Sequence, residues 1–319
     1  MSDGSLVCTE RTPRVVAARK LLRRAGRERA GRFLAEGAQA VGAALASATA
    51  PADGPSGQKR ATARRAHVFE VFATESAAER NVSVLRVASA AGIPVSMITD
   101  RAAAALSETV TPQGLLAVCA RIDVPLAEAL AGEPRLVVVL VEAADPGNAG
   151  TVIRVADAAG ADAVVLAGDS VDPHNGKCVR GSVGSVFHLP VAVERDVAEV
   201  LAGCRRAGVR LLAATADGEW DVFEPTASAA LAQPCGWLFG SEAHGLPAEV
   251  ARAADARVRV PIYGRAESLN LATAATVCVY ATARAQRAAT ISAMEGPGQG
   301  HSPELFLSPA DRGSTGATG

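Results

Sequence analysis

The sequence predicts an α/β protein: an open, mostly parallel sheet in the C-terminal half, preceded by a smaller α/β unit. Three observations carry this. Residues 136–141 (LVVVLV) are a continuous apolar, β-branched run, as a strand covered on both faces of a parallel sheet requires. From there strand-like and helix-like segments alternate, which is the pattern of a sheet wrapped by crossover helices. The chain has 319 residues, 49% hydrophobic, 3% aromatic and 20% charged. That is enough for two domains with substantial cores, filled by Ala, Val and Leu rather than by rings.

Taken in order, residues 1–10 read as a disordered leader. Residues 19–48 read as a helix anchored by Leu21, Leu22, Phe33 and Leu34, and 50–58 (APADGPSGQ) as a Pro/Gly/Ser loop. Strand 67–73, helix 76–91, strand 94–98, short helix 101–106 and strand 115–120 complete a first domain over 11–122. A Pro-flanked linker, 123–134, leads to a second domain over 135–290. There, strand 136–141 precedes helix 150–159 and strand 163–167 precedes helix 197–207. Strands 209–214 and 236–240 lead to a helix opening at Pro247, and strand 257–261 to a long helix over 269–289. Residues 291–319, rich in Gly, Ser and Pro, read as a disordered tail.

Composition narrows the functional classes. The net charge of −1 hides a local excess, because residues 11–32 carry nine cations against Glu28 alone. Arg23, Arg24, Arg27, Arg29 and Arg32 are the candidate phosphate contacts in that stretch. Lys59, Arg60, Arg64 and Arg65 form a second cluster. The scarcity of aromatics favours backbone and shape recognition over base stacking. Six cysteines lie at no zinc-ligand spacing and mostly within apolar runs, so no metal site is expected. With no signal peptide and no long apolar run, a cytoplasmic protein without a membrane partner is expected.

Chemistry in such sheets sits where strands turn into helices, because helix amides converge there. Three turns combine glycines with uncommon polar residues. In 142–154 (EAADPGNAGTVIR), Asn148 is a plausible helix cap and Arg154 follows about two turns later. In 238–247 (LFGSEAHGLP), Gly240 and Gly245 allow close backbone approach, while Walker and G-x-G-x-x-G patterns are absent. In 260–270 (VPIYGRAESLN), Val260 and Ile262 flank a proline that cannot donate a ladder bond, and Ser268 is a candidate cap for the last helix. Each turn alone is compatible with an ordinary capped connection, and for the first that is the favoured reading.

Together and in this order, DPGNAGTVIRVADAAGAD, DPHNGKCVRGSVGSVFHLPV, LFGSEAHGLP and VPIYGRAESLNLATAATV resemble the SpoU (TrmH) family of RNA ribose 2′-O-methyltransferases, of the SPOUT superfamily. RERAGRFLAEG and TPQGLLAV resemble the substrate-binding domain that often precedes it. The resemblance implies a C-terminal trefoil knot, a homodimer, S-adenosylmethionine as cofactor and RNA as partner. It places Gly240, Glu242, Gly245, Val260, Ile262 and Leu269 at the cofactor, and Asn148, Arg154, Ser268 and Asn270 at the reaction site, with Arg154 in the place of the family's proposed base. His174 and Lys177, in the second of these stretches, are candidates to touch RNA. Ribosomal RNA is the expected substrate. A transfer RNA methyltransferase, a resistance enzyme modifying an antibiotic's ribosomal site and an inactive RNA-binding assembly factor are the alternatives.

Overall fold

The computed structural model describes residues 7–50 and 63–295, with side chains to residue 291. The leader's first six residues, the 50–58 loop after its first residue, Lys59, Arg60 and the tail beyond 295 lie outside the described residues.

The segment expected as one helix over 19–48 is instead five elements. Helix α1 (Pro13–Arg19) runs into a 3-10 turn (Lys20–Leu22), then α2 (Arg24–Ala30), strand β1 (Arg32–Glu36) and α3 (Ala38–Thr49). Gly31 at φ 61° and Gly37 at φ 96° bracket the strand, and glycine enters that left-handed region without steric cost. Within β1 the pattern alternates as a strand requires: Phe33 joins one hydrophobic cluster and Leu34 another. Strand β2 (Val68–Ala73) follows. The expected helix 76–91 is split at Asn81 into α4 (Glu75–Arg80) and α5 (Val82–Ala90). Strand β3 (Val95–Met97), α6 (Asp100–Ala105) and β4 (Leu115–Ala120) complete a four-stranded sheet of order β1-β4-β2-β3. Residues 7–10 are not loose throughout: the Cys8 amide donates to the Met97 carbonyl at 2.8 Å, and the Thr99 amide to that of Cys8 at 3.0 Å.

After α7 (Leu126–Ala129), within the linker, comes the second sheet. Its elements are β5 (Leu136–Val141), α8 (Pro146–Ala159), β6 (Ala163–Ala167), α9 (Gly176–Ser182), β7 (Val191–Glu194), α10 (Val197–Arg206) and β8 (Arg210–Ala214). Next are β9 (Trp220–Asp221), α11 (Pro225–Leu231), β10 (Cys235–Phe239), α12 (Ala248–Ala253), β11 (Ala256–Arg259) and α13 (Leu271–Glu295). Elements α9, β7, β9 and α11 were not anticipated. Helix α13 continues five residues past 290 into the stretch expected as tail. The strand order is β7-β6-β5-β10-β8-β11-β9, with every pairing parallel. All six residues of β5 are buried, as its unbroken apolar run requires. Val138 and Leu140 feed the core on one face, Val137 and Val139 the core on the other.

The first of these cores also takes in Phe33 and Val41 from the N-terminal unit. The two units are further joined by buried ion pairs. Arg27 Nε lies 2.7 Å from Asp172 Oδ2, and Arg180 Nη1 lies 2.9 Å from Glu36 Oε2. Burial alone would raise the Asp172 carboxyl. Hydrogen bonds and charge from His174, then Arg27, outweigh it and hold the group well below the ordinary carboxylate range. A depressed carboxyl contributes stability above its unfolded pKa of about 4 and loses it as pH falls towards the folded value. Asp172→Asn is therefore expected to lose less stability than the parent between about pH 4 and pH 2, read from urea midpoints. Parallel losses in both proteins would refute this.

Candidate active site

The three glycine-bearing turns leave the carboxyl ends of β5, β10 and β11, and β8 lies between the last two in the sheet. A parallel sheet presents all these ends on one edge.

After β5, Asp145 rather than Asn148 caps α8: its Oδ1 accepts the Asn148 amide at 2.8 Å, and Pro146 takes the first helical position. The helix thus begins four residues before the expected start, and the Asn148 side chain is released for other work. Its Nδ2 donates to Glu242 Oε1 at 2.9 Å, and its Oδ1 accepts from Asn270 Nδ2 at 3.2 Å. The carboxylate can only accept, which fixes the amide orientation along the chain. Glu242 Oε2 also accepts the Ala144 amide at 3.3 Å. Burial would raise the Glu242 carboxyl, but the Asn148 bond and backbone amides bring it below its ordinary value. Asn148 therefore ties together the loops following β5, β10 and β11, with partners 94 and 122 residues away in sequence.

Arg154 lies about 9 Å farther along α8, taking a 1.5 Å rise per residue. It is exposed, on the same side as Thr151 and Ala158, and makes no hydrogen bond or ion pair among the described residues. Lys177, on α9, is paired with Asp145 at 2.5 Å and stays half exposed. His174 is only 1% exposed and holds the Ile122 amide on Nε2 at 3.2 Å, so its place is structural rather than at an RNA surface.

After β10, the chain doubles back at once. Ser241 and Gly245 exchange backbone hydrogen bonds of 3.1 and 2.9 Å, with Gly245 at φ 68°. A Cβ on Gly240 would lie 2.0 Å from the Gly245 carbonyl carbon, so only glycine fits. Pro247 is the cap of α12, not its first residue.

After β11, Val260 is half-buried against the core, Leu269 is half-buried, and Ile262 is 37% exposed. Ser268 is exposed and does not cap the last helix. Asn270 does, with Oδ1 accepting the Ala272 amide at 2.9 Å and the Thr273 amide at 3.4 Å. Ser and Asn cap equally well; here Asn270 caps, and its Nδ2 at the same time donates to Asn148 Oδ1.

Thr215, at the end of β8, was missed from sequence. Its hydroxyl is buried with no hydrogen-bond partner among the described residues. The available signal was its position directly after the apolar LLAA strand, on the same sheet edge as the three turns. Two surface hollows lie elsewhere, one along α13 at Tyr280, Arg284 and Ile291, the other between β1 and α9 at Glu36, Gln113 and Arg180. None of the candidate site residues lines either.

Of the five arginines expected to meet phosphates, Arg23, Arg24, Arg29 and Arg32 are exposed. Arg24 pairs with Glu28 and Arg32 covers the Phe69 ring at 3.6 Å. Arg27 must be withdrawn from that set: it is 3% exposed and committed to Asp172. Among the described residues no helix is long and apolar enough to cross a membrane, and no cluster of three or more potential metal ligands occurs.

Comparison with known proteins bears on this site. The profile of the SpoU rRNA Methylase family matches residues 135–280, and that of the MRM3-like substrate binding domain matches 12–117. The chain is 39% identical over 189 residues to the 23S rRNA (guanosine(2553)-2'-O)-methyltransferase RlmP of Bacillus subtilis (strain 168), across 59% of this chain and 72% of that protein. The AdoMet-bound rRNA methyltransferase from Sinorhizobium meliloti aligns with a TM-score of 0.70 at 30% identity, over 88% of this chain and 97% of that one. The SpoU methyltransferase AviRb from Streptomyces viridochromogenes, in complex with AdoMet, aligns at 0.71 and 28%, over 87% and 99%.

Proposed function

The chain belongs to the SpoU rRNA methylase family, and on that premise we propose that it methylates a ribose 2′-hydroxyl of RNA, ribosomal RNA in particular, using S-adenosylmethionine. The observation that carries the site assignment is the Asn148 side chain, bonded at once to Glu242 and Asn270 from the other two loops.

The residues present suit the cofactor. The Thr215 hydroxyl lacks a partner among the described residues, the 240–245 loop is closed tightly by the paired bonds of Ser241 and Gly245, and Ile262 offers exposed apolar surface. Gly240, Glu242, Gly245, Val260, Ile262 and Leu269 would hold it, with Thr215 added to their number. When bound, S-adenosylmethionine supplies a methyl group on a sulfonium that leaves readily.

The chain's own residues then have two tasks, to align the ribose oxygen and to favour its ionised form. Arg154, about two turns along α8 from Asn148, is a cation with no partner among the described residues. A guanidinium stays protonated at working pH, so it stabilises the developing alkoxide and clamps the adjacent phosphate rather than removing the proton. A phosphate oxygen or water takes that proton. Asn148 and Asn270 hold the loops around the ribose, and Ser268, exposed and free of the capping role, contributes a hydroxyl to it. Asn148→Ala severs the ties to Glu242 and Asn270, each worth about 1 kcal/mol. Turnover is expected to fall by about tenfold or more, as displaced reacting groups do. A single-turnover rate equal to the parent's would refute the role.

The trefoil knot and the homodimer implied by the family belong to this reading. Support for the knot is that β10 inserts between β5 and β8 while α13 returns across α8, with Gln286 Nε2 donating to the Arg135 carbonyl at 2.8 Å. Support for the dimer is that α13 leaves Tyr280 and Ile291 exposed at 48% and 56%. A cytoplasmic location belongs to the same reading.

RNA affinity is expected to fall with salt, by about 0.7 log units per log unit for each phosphate held on a single strand. An Arg23→Ala/Arg29→Ala variant should show a shallower slope, and an identical slope would remove those contacts. Methyl transfer from tritiated S-adenosylmethionine onto ribosomal and transfer RNA, followed by mapping of 2′-O-methyl sites, tests the function itself. Transfer to transfer RNA alone, or to neither, would overturn it.

A further inference from the structure

We propose that Arg27, in the N-terminal unit, is a positioning residue for methyl transfer, acting through Asp172 on the loop that carries Asn148. The inference rests on the functional reading above and deepens it, since it makes the substrate-binding unit part of the mechanical support of the reaction site.

The connection is continuous. Arg27 is 3% exposed and spends its donors on Asp172 Oδ2 at 2.7 Å and on the carbonyls of Leu21 and Leu22 at 3.0 and 2.9 Å. Asp172 Oδ1 in turn accepts the His174 amide at 2.9 Å and meets His174 Nδ1 at 3.1 Å. The residues just before Asp172 bind the loop after β5 through both backbone groups of one residue, Ala143. The Val171 amide donates to the Ala143 carbonyl at 3.0 Å, and Ser170 Oγ accepts the Ala143 amide at 3.1 Å. The next amide, of Ala144, donates to Glu242, and Asp145 caps the helix bearing Asn148 and Arg154.

That loop needs such support. Glu142, immediately before Ala143, sits at φ 55°, a conformation costly for a side chain with a Cβ and kept only where the surroundings impose it. The surroundings here are the end of β6, where the Ala167 carbonyl accepts the Glu142 amide at 3.0 Å, and the turn at 170–172. Ser170 Oγ ties the start of that turn to the Ala167 and Leu140 carbonyls, and at its far end Asp172 is held by a cation from another unit. The other buried pair between the units, Glu36 with Arg180, makes no bond to this loop and serves as an internal control.

The experiment compares Arg27→Met, Asp172→Asn, their double variant and Glu36→Gln in the full chain. Steady-state methylation of RNA is measured alongside affinities for RNA and for S-adenosylmethionine and thermal unfolding. Single variants leave one buried charge unpaired and can fail to fold. The double variant removes both charges, a change that buried pairs often tolerate, and so keeps the test usable. The expected result is a kcat lower by about tenfold or more at saturating substrates, the size of effect that small misplacements of reacting groups produce, with both affinities near the parent's. Glu36→Gln should keep its kcat. The inference is overturned by a parental kcat in the Arg27 and Asp172 variants. It is equally overturned by a rise in KM for RNA alone, which would make Arg27 part of RNA docking, or by an equal loss in Glu36→Gln, which would make the effect general to the interface. A parent protein inert on every RNA removes the functional reading and this inference with it, and is told apart by the parent's own assay.

Discussion

Arg154→Ala is expected to lower methyl transfer by about a hundredfold or more, the range seen when one group stabilising an oxyanion is removed, while S-adenosylmethionine binding stays at the parental level. The reason lies in where the residue sits. Arg154 has no partner among the described residues and is exposed, so its removal breaks no contact within the fold. Helix α8 is held mainly by its other side, where Ala149, Val152, Ile153 and Ala156 are buried. Alanine is also the best helix former, so thermal stability should hold or rise slightly. A loss of turnover without a loss of stability or cofactor affinity separates a catalytic role from a structural one. Arg154→Lys is informative beside it: it keeps the charge but not the planar fork, and recovers activity only in part if phosphate is clamped bidentately. Turnover by Arg154→Ala equal to the parent's would reject the assignment.

Gly240→Val is expected to abolish measurable S-adenosylmethionine binding, by calorimetry, and with it all turnover. Close backbone approach to a ligand at Gly240 would by itself have a valine fill the space between backbone and cofactor. The structure places the collision elsewhere. A Cβ at this position falls 2.0 Å from the Gly245 carbonyl carbon, 2.1 Å from the Leu246 nitrogen and 2.2 Å from the Gly245 oxygen, all backbone. No side-chain rotation relieves such a contact, so the loop itself must open and the paired bonds between Ser241 and Gly245 break. Gly240→Ala should therefore lose binding almost as fully as Gly240→Val. A simple occlusion of the cofactor would instead spare the smaller residue. RNA affinity, which the proposal assigns to the N-terminal arginines, should survive in both. Unchanged cofactor affinity in Gly240→Val would remove the 240–245 loop from the site.

The parallel sheet was legible because β5 is an unbroken apolar run, and a strand covered on both faces needs no polar alternation. The hidden strand β1 was not, since five residues between Gly31 and Gly37 are too few to distinguish a period of two from one of 3.6. Local chemistry also ranks Ser268 and Asn270 equally as caps, and Asp145 and Asn148 likewise. Pro146 at the first helical position settles the second pair in favour of Asp145. Only the structure shows that Asn270 both caps α13 and donates to Asn148, and that Asn148 donates to Glu242. Thr215 carried no local mark, because a threonine ending a strand is ordinary until its hydroxyl is found buried and unanswered.

By itself the sequence determined which segments could be strands and which turns could carry chemistry, since apolar periodicity and the backbone demands of glycine and proline act over a few neighbouring residues. It also determined the family, through four short stretches in a set order. Only the tertiary structure decided what those residues do for one another. It buried Arg27 against Asp172, 145 residues away, and so turned an apparent RNA contact into a brace. It brought Asn148 to Glu242 and Asn270 across 94 and 122 residues. Burial and hydrogen-bond partnership depend on which chain segments meet, and that is settled by the packing of the whole sheet rather than by any window of sequence.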